Sequence, residues 1–167
     1  KAGGQKKNMD TFIKPDHFGS RFVILIRHAE KINDELPTLS EKGKARAEYL
    51  KHFFGASKHA PKMIYAQKSD ERHKSLRPID TVKPLAEKYL IPLNINFSAK
   101  ETKELAEDIQ HLSGDKFPVL VCWSHKRISR IASYLTGKKI ENFPKAYDII
   151  WIIDLDKRVI TSAKQDF

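Results

Sequence analysis

Two short stretches of this chain are apolar at every position: "FVILI" over residues 22–26 and "PVLVCW" over residues 118–123. A strand with one wet face alternates apolar and polar side chains. A strand that is apolar throughout must be covered on both faces, which is the setting of a central strand in a parallel sheet. Helical patterns lie between such runs. In "LSEKGKARAEYLKHFFG", Ser40 is the expected N-cap, Glu41 suits the first turn and Gly55 the stop, with Ala45, Tyr49, His52 and Phe53 on one stripe. "KMIYA" reads as a second strand. The helix starting near Arg77-Pro78 carries apolar Ile79, Val82, Leu85, Ala86 and Tyr89, and Pro84 is expected to kink or split it. "IPLNINF" reads as a third strand, followed by a helix with Leu105, Ile109 and Leu112 inward. The fourth strand, "FPVLVCW", is expected at the centre. A helix ending on Gly137 and a hairpin turning at Asp156-Lys157 complete the pattern. Strands alternating with helices predict a three-layer α/β/α domain with a mostly parallel central sheet.

A length of 167 residues fits one such domain, and 40% hydrophobic residues can fill its core. Residues 1–20 are polar with two adjacent glycines and read as a flexible N-terminal arm, with a docking point at Phe12-Ile13; residues 21–167 form the domain. The chain starts on Lys rather than Met, so a processed start, and with it a removed leader, stays open. Cys122 is the only cysteine, which excludes an intrachain disulfide, and its place in an apolar run makes it a core residue. No run is long enough for a transmembrane helix. The net charge of +10 points to anionic partners. A specific nucleic-acid reader is not expected, because no motif interleaves aromatics with a basic stripe.

The chemistry gathers at strand ends. The first strand finishes on Arg27-His28 and the fourth on Ser124-His125. The loop "QKSDERHKSLR" after the second strand reaches Arg77 at the start of a helix. Parallel strands bring their carboxyl ends to one sheet edge, where ligands of open α/β sheets bind. A pair of histidines suits zinc, but Arg27 and Arg77 would repel a metal and no third ligand is in place. Two guanidinium forks and two imidazoles suit a phosphoryl group: Arg matches phosphate oxygens and neutral His can attack phosphorus. Other residues read as bystanders. His73 lies in a basic loop, His17, His52, His59 and His111 lack partner patterns, and Trp123 reads as a core residue at a strand end.

At these residues the chain resembles the histidine phosphatase superfamily, the phosphoglycerate mutase-like proteins. The hallmark Arg-His-Gly/Ala-Glu is matched by Arg27-His28-Ala29-Glu30. Leu-Ser/Thr-x-x-Gly-x-x-x-Ala is matched from Leu39 through Gly43 to Ala47, Arg-x-x-x-Thr by Arg77 and Thr81, and Ser-His by Ser124-His125. The matches keep the family's order over residues 22–154. The resemblance implies a phosphoglycerate mutase-like fold and hydrolysis of phosphate monoesters. His28 is then the nucleophile that becomes phosphohistidine, and Arg27, Arg77 and His125 are the phosphate clamp, with Ser124 and Lys126 also against the phosphate. It implies no cofactor, and a phosphorylated small molecule or phosphoprotein as substrate. Ala29 in place of the commoner Gly requires a negative φ. Lys126, where Gly often follows the second His, puts a cation on the pocket floor. Of Glu101 and Glu104, Glu101 is assigned as the acid for the leaving group. A phosphomutase is one alternative, although such enzymes are generally longer. A catalytically weak module that binds phospho-ligands or polyanions is the other. Lys31, Arg72, Lys74, Lys126 and Arg127 follow the same strand ends and are expected to form a basic rim.

Overall fold

A computed structural model describes residues 8–12 and 21–167. Six strands form one sheet: β1 Phe22–Arg27, β2 Met63–Ala66, β3 Leu93–Asn94, β4 Val119–Trp123, β5 Ile149–Asp154 and β6 Val159–Lys164, in the order β3-β2-β4-β1-β5-β6. The first four are mutually parallel, β5 runs antiparallel to β1, and β6 antiparallel to β5. Helices α1 (Glu41–Gly55), α2 (Arg77–Tyr89), α3 (Thr102–Gln110) and α4 (His125–Thr136) cover the two faces. Among the described residues no helix is long and apolar enough to cross a membrane.

The unbroken apolar runs are explained by two cores, one on each face. Val23 and Leu25 of β1, with Val119, Val121 and Trp123 of β4, pack under α3 and α4. The alternate residues Ile24, Ile26, Leu120 and Cys122 pack under α1 and α2. Successive strand residues point to opposite faces, so only a strand buried twice needs apolar side chains throughout. Cys122 and Trp123 are both fully buried.

The register places Arg27 beside Trp123, and Cys122 beside Ala66, so β1, β4 and β2 end level with one another. The chain leaves β1, lays down β2 and β3 on one side, and returns to insert β4 between β2 and β1. The β1–β4 boundary is therefore where the direction of winding changes, the place at which such sheets open a crevice.

Several expectations need correction. The buried face of α1 is Gly43, Arg46, Ala47, Leu50, Phe53 and Phe54, whereas Ala45 is exposed and Tyr49 and His52 are half-buried. The face is rotated because Arg46 goes inward to pair with Glu30. Pro84 does not split α2, which runs unbroken to Tyr89. The third strand is only Leu93–Asn94. Part of the expected flexible arm is anchored. In the 3-10 turn Met9–Phe12, Met9 is fully buried, Asp10 accepts from Ser57 Oγ at 2.6 Å, and Phe12 lies 6.2 Å from Phe53 between ring centres. The rest of that arm, with Ile13 and His17, falls outside the described residues.

Candidate active site

His28 follows the last residue of β1. Its backbone N–H donates to the Trp123 carbonyl at 3.2 Å, which extends the β1–β4 pairing by one residue and buries the ring at the strand ends. Its Nδ1 lies 2.7 Å from the Ala29 carbonyl oxygen. A carbonyl can only accept, so Nδ1 carries the proton and Nε2 holds the free lone pair of the neutral ring. Burial, and then the charges of Arg27, Arg77 and protonated His125, push the His28 pKa down to about 4. At neutral pH the ring is therefore an uncharged base with Nε2 open to attack.

The other motif residues hold this geometry. The Ala29 N–H donates to Thr81 Oγ1 at 2.8 Å, and that hydroxyl donates to the Arg77 carbonyl at 2.7 Å. Thr81, one turn into α2, thus ties the strand end to the helix that starts with Arg77. Ser40 caps α1: its hydroxyl accepts from Gly43 N at 3.1 Å and donates to the Glu30 carbonyl at 3.2 Å. A Cβ at Gly43 would lie 2.3 Å from the Glu30 oxygen, so only glycine lets the helix approach the loop this closely. Glu30 itself faces away from phosphate chemistry, its carboxylate gripped by Arg46 Nε and Nη2 at 2.9 and 2.8 Å.

Two guanidinium groups flank the imidazole. Arg27 is buried, with Nη1 donating to the Lys145 carbonyl and the Tyr147 ring 3.9 Å from Cζ. Arg77 donates from Nη1 to the Leu36 carbonyl. In each, Nε is buried and has no hydrogen-bond partner among the described residues. Buried donors are normally satisfied, so both point to an acceptor that would bind here. Both helices that follow these loops, α2 and α4, begin at the site with Arg77 and His125, so their N-terminal ends also favour an anion. His125 has its pKa lowered by burial and then by Arg27, Lys126, Lys145 and Lys31. Positive charge is concentrated here beyond what local carboxylates offset.

A cavity of about 290 Å³ opens onto this edge, lined by His28, Gln67, Arg77 and Ser124 together with the loops 34–37 and 72–75. His28, Arg77 and Ser124 thus meet in it, and Arg27 and His125 stand close enough for their charges to act on His28. Glu101 and Lys126 do not line it. Glu101 precedes α3 and its Oε1 accepts from Ser98 N and Oγ at 2.9 and 3.0 Å, bonds that lower its pKa. Such a carboxylate stays ionised and turned to Ser98. Lys126 is exposed on the first turn of α4, so the cavity floor is not cationic through it.

Sequence reasoning missed Gln67, Asp34, Glu35 and Tyr147. Gln67 is signalled only by its place directly after β2; its buried side chain accepts from the Ser124 N–H at 3.1 Å and joins the second and fourth strand ends. Asp34 and Glu35 reach the cavity because a bridge between Lys31 and Leu39 closes their loop back on itself. Tyr147 arrives from the far side of the sheet, ahead of β5. His73, read as a bystander, lines the cavity wall.

Sheet order and helix layers together define the fold class: this is the phosphoglycerate mutase-like fold. Among solved structures the chain is similar to the protein histidine phosphatase SixA complexed with tungstate, with a TM-score of 0.61, 14% identity, and 85% of this chain and 94% of that one covered. A candidate phosphohistidine phosphatase SixA from Agrobacterium tumefaciens superimposes with a TM-score of 0.55 at 16% identity over 81% of this chain and 92% of that one. A candidate alpha-ribazole-5'-P phosphatase from Escherichia coli gives 0.55 at 14% identity over 89% and 98%. No family model matches the sequence, and no curated protein matches it.

Proposed function

We propose that the protein is a phosphatase that works through a phosphohistidine on His28. The observation that carries this reading is the neutral, buried His28 ring with Nε2 free, set between two arginines whose buried Nε groups lack an acceptor. The phosphatases among the structural neighbours support the same reading through the shared fold.

In the first step Nε2 attacks phosphorus in line with the leaving group. The P–N bond forms, the bond from phosphorus to the leaving atom breaks with its electron pair going to that atom, and a proton from a cavity carboxyl joins it. Arg27, Arg77 and His125 offset the charge on the equatorial oxygens, where most of the catalytic stabilisation of phosphoryl transfer resides. In the second step water attacks phosphorus and gives a proton to a cavity carboxylate, the P–N bond breaks with its electron pair returning to Nε2, and phosphate leaves. Two carboxyls line the cavity. Asp34 is held by Lys31 Nζ, which lowers its pKa and keeps it ionised. Glu35 makes no side-chain hydrogen bond or ion pair among the described residues, and its place in the cavity lining supports it over Glu101 as the carboxyl that serves the leaving atom. Glu35 is exposed, so the enzyme favours substrates whose leaving group needs little help. Phosphorylated protein side chains bound through nitrogen, as well as activated esters, meet that condition.

The test is labelling. With a radiolabelled phosphoryl donor, wild type should acquire acid-labile, base-stable label and hydrolyse an aryl phosphate, while His28→Ala should do neither and remain folded. Label persisting on His28→Ala removes the assignment. A wild type that binds phosphate without turnover points instead to a phospho-ligand binding module, the reading that the exposure of Glu35 favours.

A further inference from the structure

The segment that precedes β5 plays no part in the sequence motifs, yet it holds the phosphate clamp in place. The Tyr147 ring lies 3.9 Å from Cζ of Arg27 and 6.2 Å, centre to centre, from the His28 ring. One aromatic face therefore covers the guanidinium and the ring flanks the imidazole. From the same segment the Lys145 carbonyl accepts from Arg27 Nη1. The stack sets the plane of the guanidinium and the carbonyl sets its rotation within that plane. What remains is the side-on edge, whose Nε is buried without an acceptor. That edge is a fork of parallel N–H donors matched to two oxygens of a tetrahedral anion.

Tyr147 is in turn fixed from behind. Its carbonyl accepts from Gln165 Nε2 at 3.2 Å, and Gln165 Oε1 accepts from Arg46 Nη1 at 2.8 Å. Arg46 grips Glu30, the last residue of the Arg27–Glu30 motif. Gln165 and Arg46 are buried, and Gln165 N donates to the Asp148 carbonyl at 2.7 Å, which continues the β5–β6 pairing past the strand ends. A closed circuit thus runs from Arg27 through Tyr147, Gln165, Arg46 and Glu30 back to the motif.

We propose that Tyr147 is a positioning residue for Arg27, held by Gln165, and that the pair presents the side-on edge of Arg27 to the phosphoryl group. The proposal deepens the reading of the site as a phosphoryl pocket and rests on it. Neither residue touches the reacting atoms; both act through Arg27. A tyrosine ring and a phenylalanine ring stack equally on a guanidinium, whereas an aliphatic side chain fills the space without the electrostatic attraction.

The test uses orthovanadate affinity, measured by calorimetry on the full chain, so that it does not depend on turnover. Tyr147→Leu should weaken binding about tenfold, the scale of a desolvated cation–π contact, and Tyr147→Phe should restore it. In an Arg27→Ala background the same Tyr147→Leu change should have no further effect, because the residue acts through Arg27. Gln165→Met should weaken binding in the same direction with Arg27 present and not in its absence, with circular dichroism showing each variant folded. Equal weakening by Tyr147→Leu with and without Arg27 overturns the proposal, as does full affinity in Tyr147→Leu. Vanadate binding by a wild type that hydrolyses no aryl phosphate refutes the phosphatase reading alone and leaves the cycle decisive. A wild type that binds no vanadate overturns both.

Discussion

At the scale of single residues, the site depends on keeping one imidazole neutral among cations. His28 is buried, and burial followed by Arg27, Arg77 and His125 moves its pKa from 6.5 to about 4. The sign of the effect on stability follows. The unfolded chain binds the proton more tightly than the folded one, so the stability linked to His28 is fully present above the unfolded value near 6.5 and is lost as pH falls toward about 4. Between pH 7 and pH 4.5 that loss is on the order of 2 kcal/mol. In buffers free of phosphate and sulfate, His28→Gln should lose less stability than wild type over this interval, by about that amount, as measured by denaturant unfolding. Parallel losses in the two proteins would mean that His28 titrates like an exposed histidine and that the clamp does not act on it. The same displacement keeps the His28 ring neutral through weakly acidic conditions, where an ordinary histidine would be protonated.

At the scale of elements, the motif spacings are packing requirements. The interval from Arg77 to Thr81 is one helical turn, which lets the Thr81 hydroxyl bond both the Arg77 carbonyl and the Ala29 N–H. The interval from Ser40 to Gly43 is the N-cap to the third helical residue, where the cap bond closes. Glycine within a helix normally costs about 1 kcal/mol relative to alanine, so its use at Gly43 needs a reason, and the 2.3 Å approach to the Glu30 oxygen is that reason. Gly43→Ala should therefore destabilise the protein by about 1–3 kcal/mol, the usual cost of overpacking, despite its better helix propensity. Gly114→Ala, where an added Cβ meets nothing within 4 Å, serves as the control and should be close to neutral. Chemical denaturation midpoints check both; a stabilised Gly43→Ala would show that α1 and the Glu30 loop are free to separate.

At the scale of the molecule, part of the net charge of +10 lies at the cavity. Arg72 and Lys74 line its wall, and Lys31, Lys126 and Lys145 act electrostatically on His125 beside it. Clefts lined by one sign of charge raise the local concentration of anions, and salt screens the effect. Catalytic efficiency on a phosphate ester carrying further negative charge should fall more steeply from low to high salt than on a singly substituted ester. Reversing Arg72 and Lys74 to Glu should damage the former selectively. Equal losses on both substrates with equal salt dependence would make the basic rim a solubilising surface only.

Much of this was legible in the residues. All-apolar β1 and β4, the alternation of strands and helices, the Ser40 cap and the termination of α4 at Gly137 are local or periodic properties, and periodicity is visible in one dimension. Parallel topology then brings Arg27, His28, Ser124 and His125 to one edge, because β1 and β4 both end there. The partners that complete the site lie beyond that reach. Glu101 is expected from its place between the third strand and the second histidine, but the fold turns its carboxylate to Ser98, and the cavity takes its carboxyls from the loop holding Asp34 and Glu35. Arg46 is a charged residue buried on α1 only because Glu30 comes to meet it. Gln165 stands 119 residues from Arg46, and Tyr147 lies as far along the chain from Arg27, contacts that no local pattern encodes. Whether a lone aromatic or amide faces solvent, core or site is decided by which distant surface arrives opposite it, and that is set by the tertiary packing of β5 and β6 against β1.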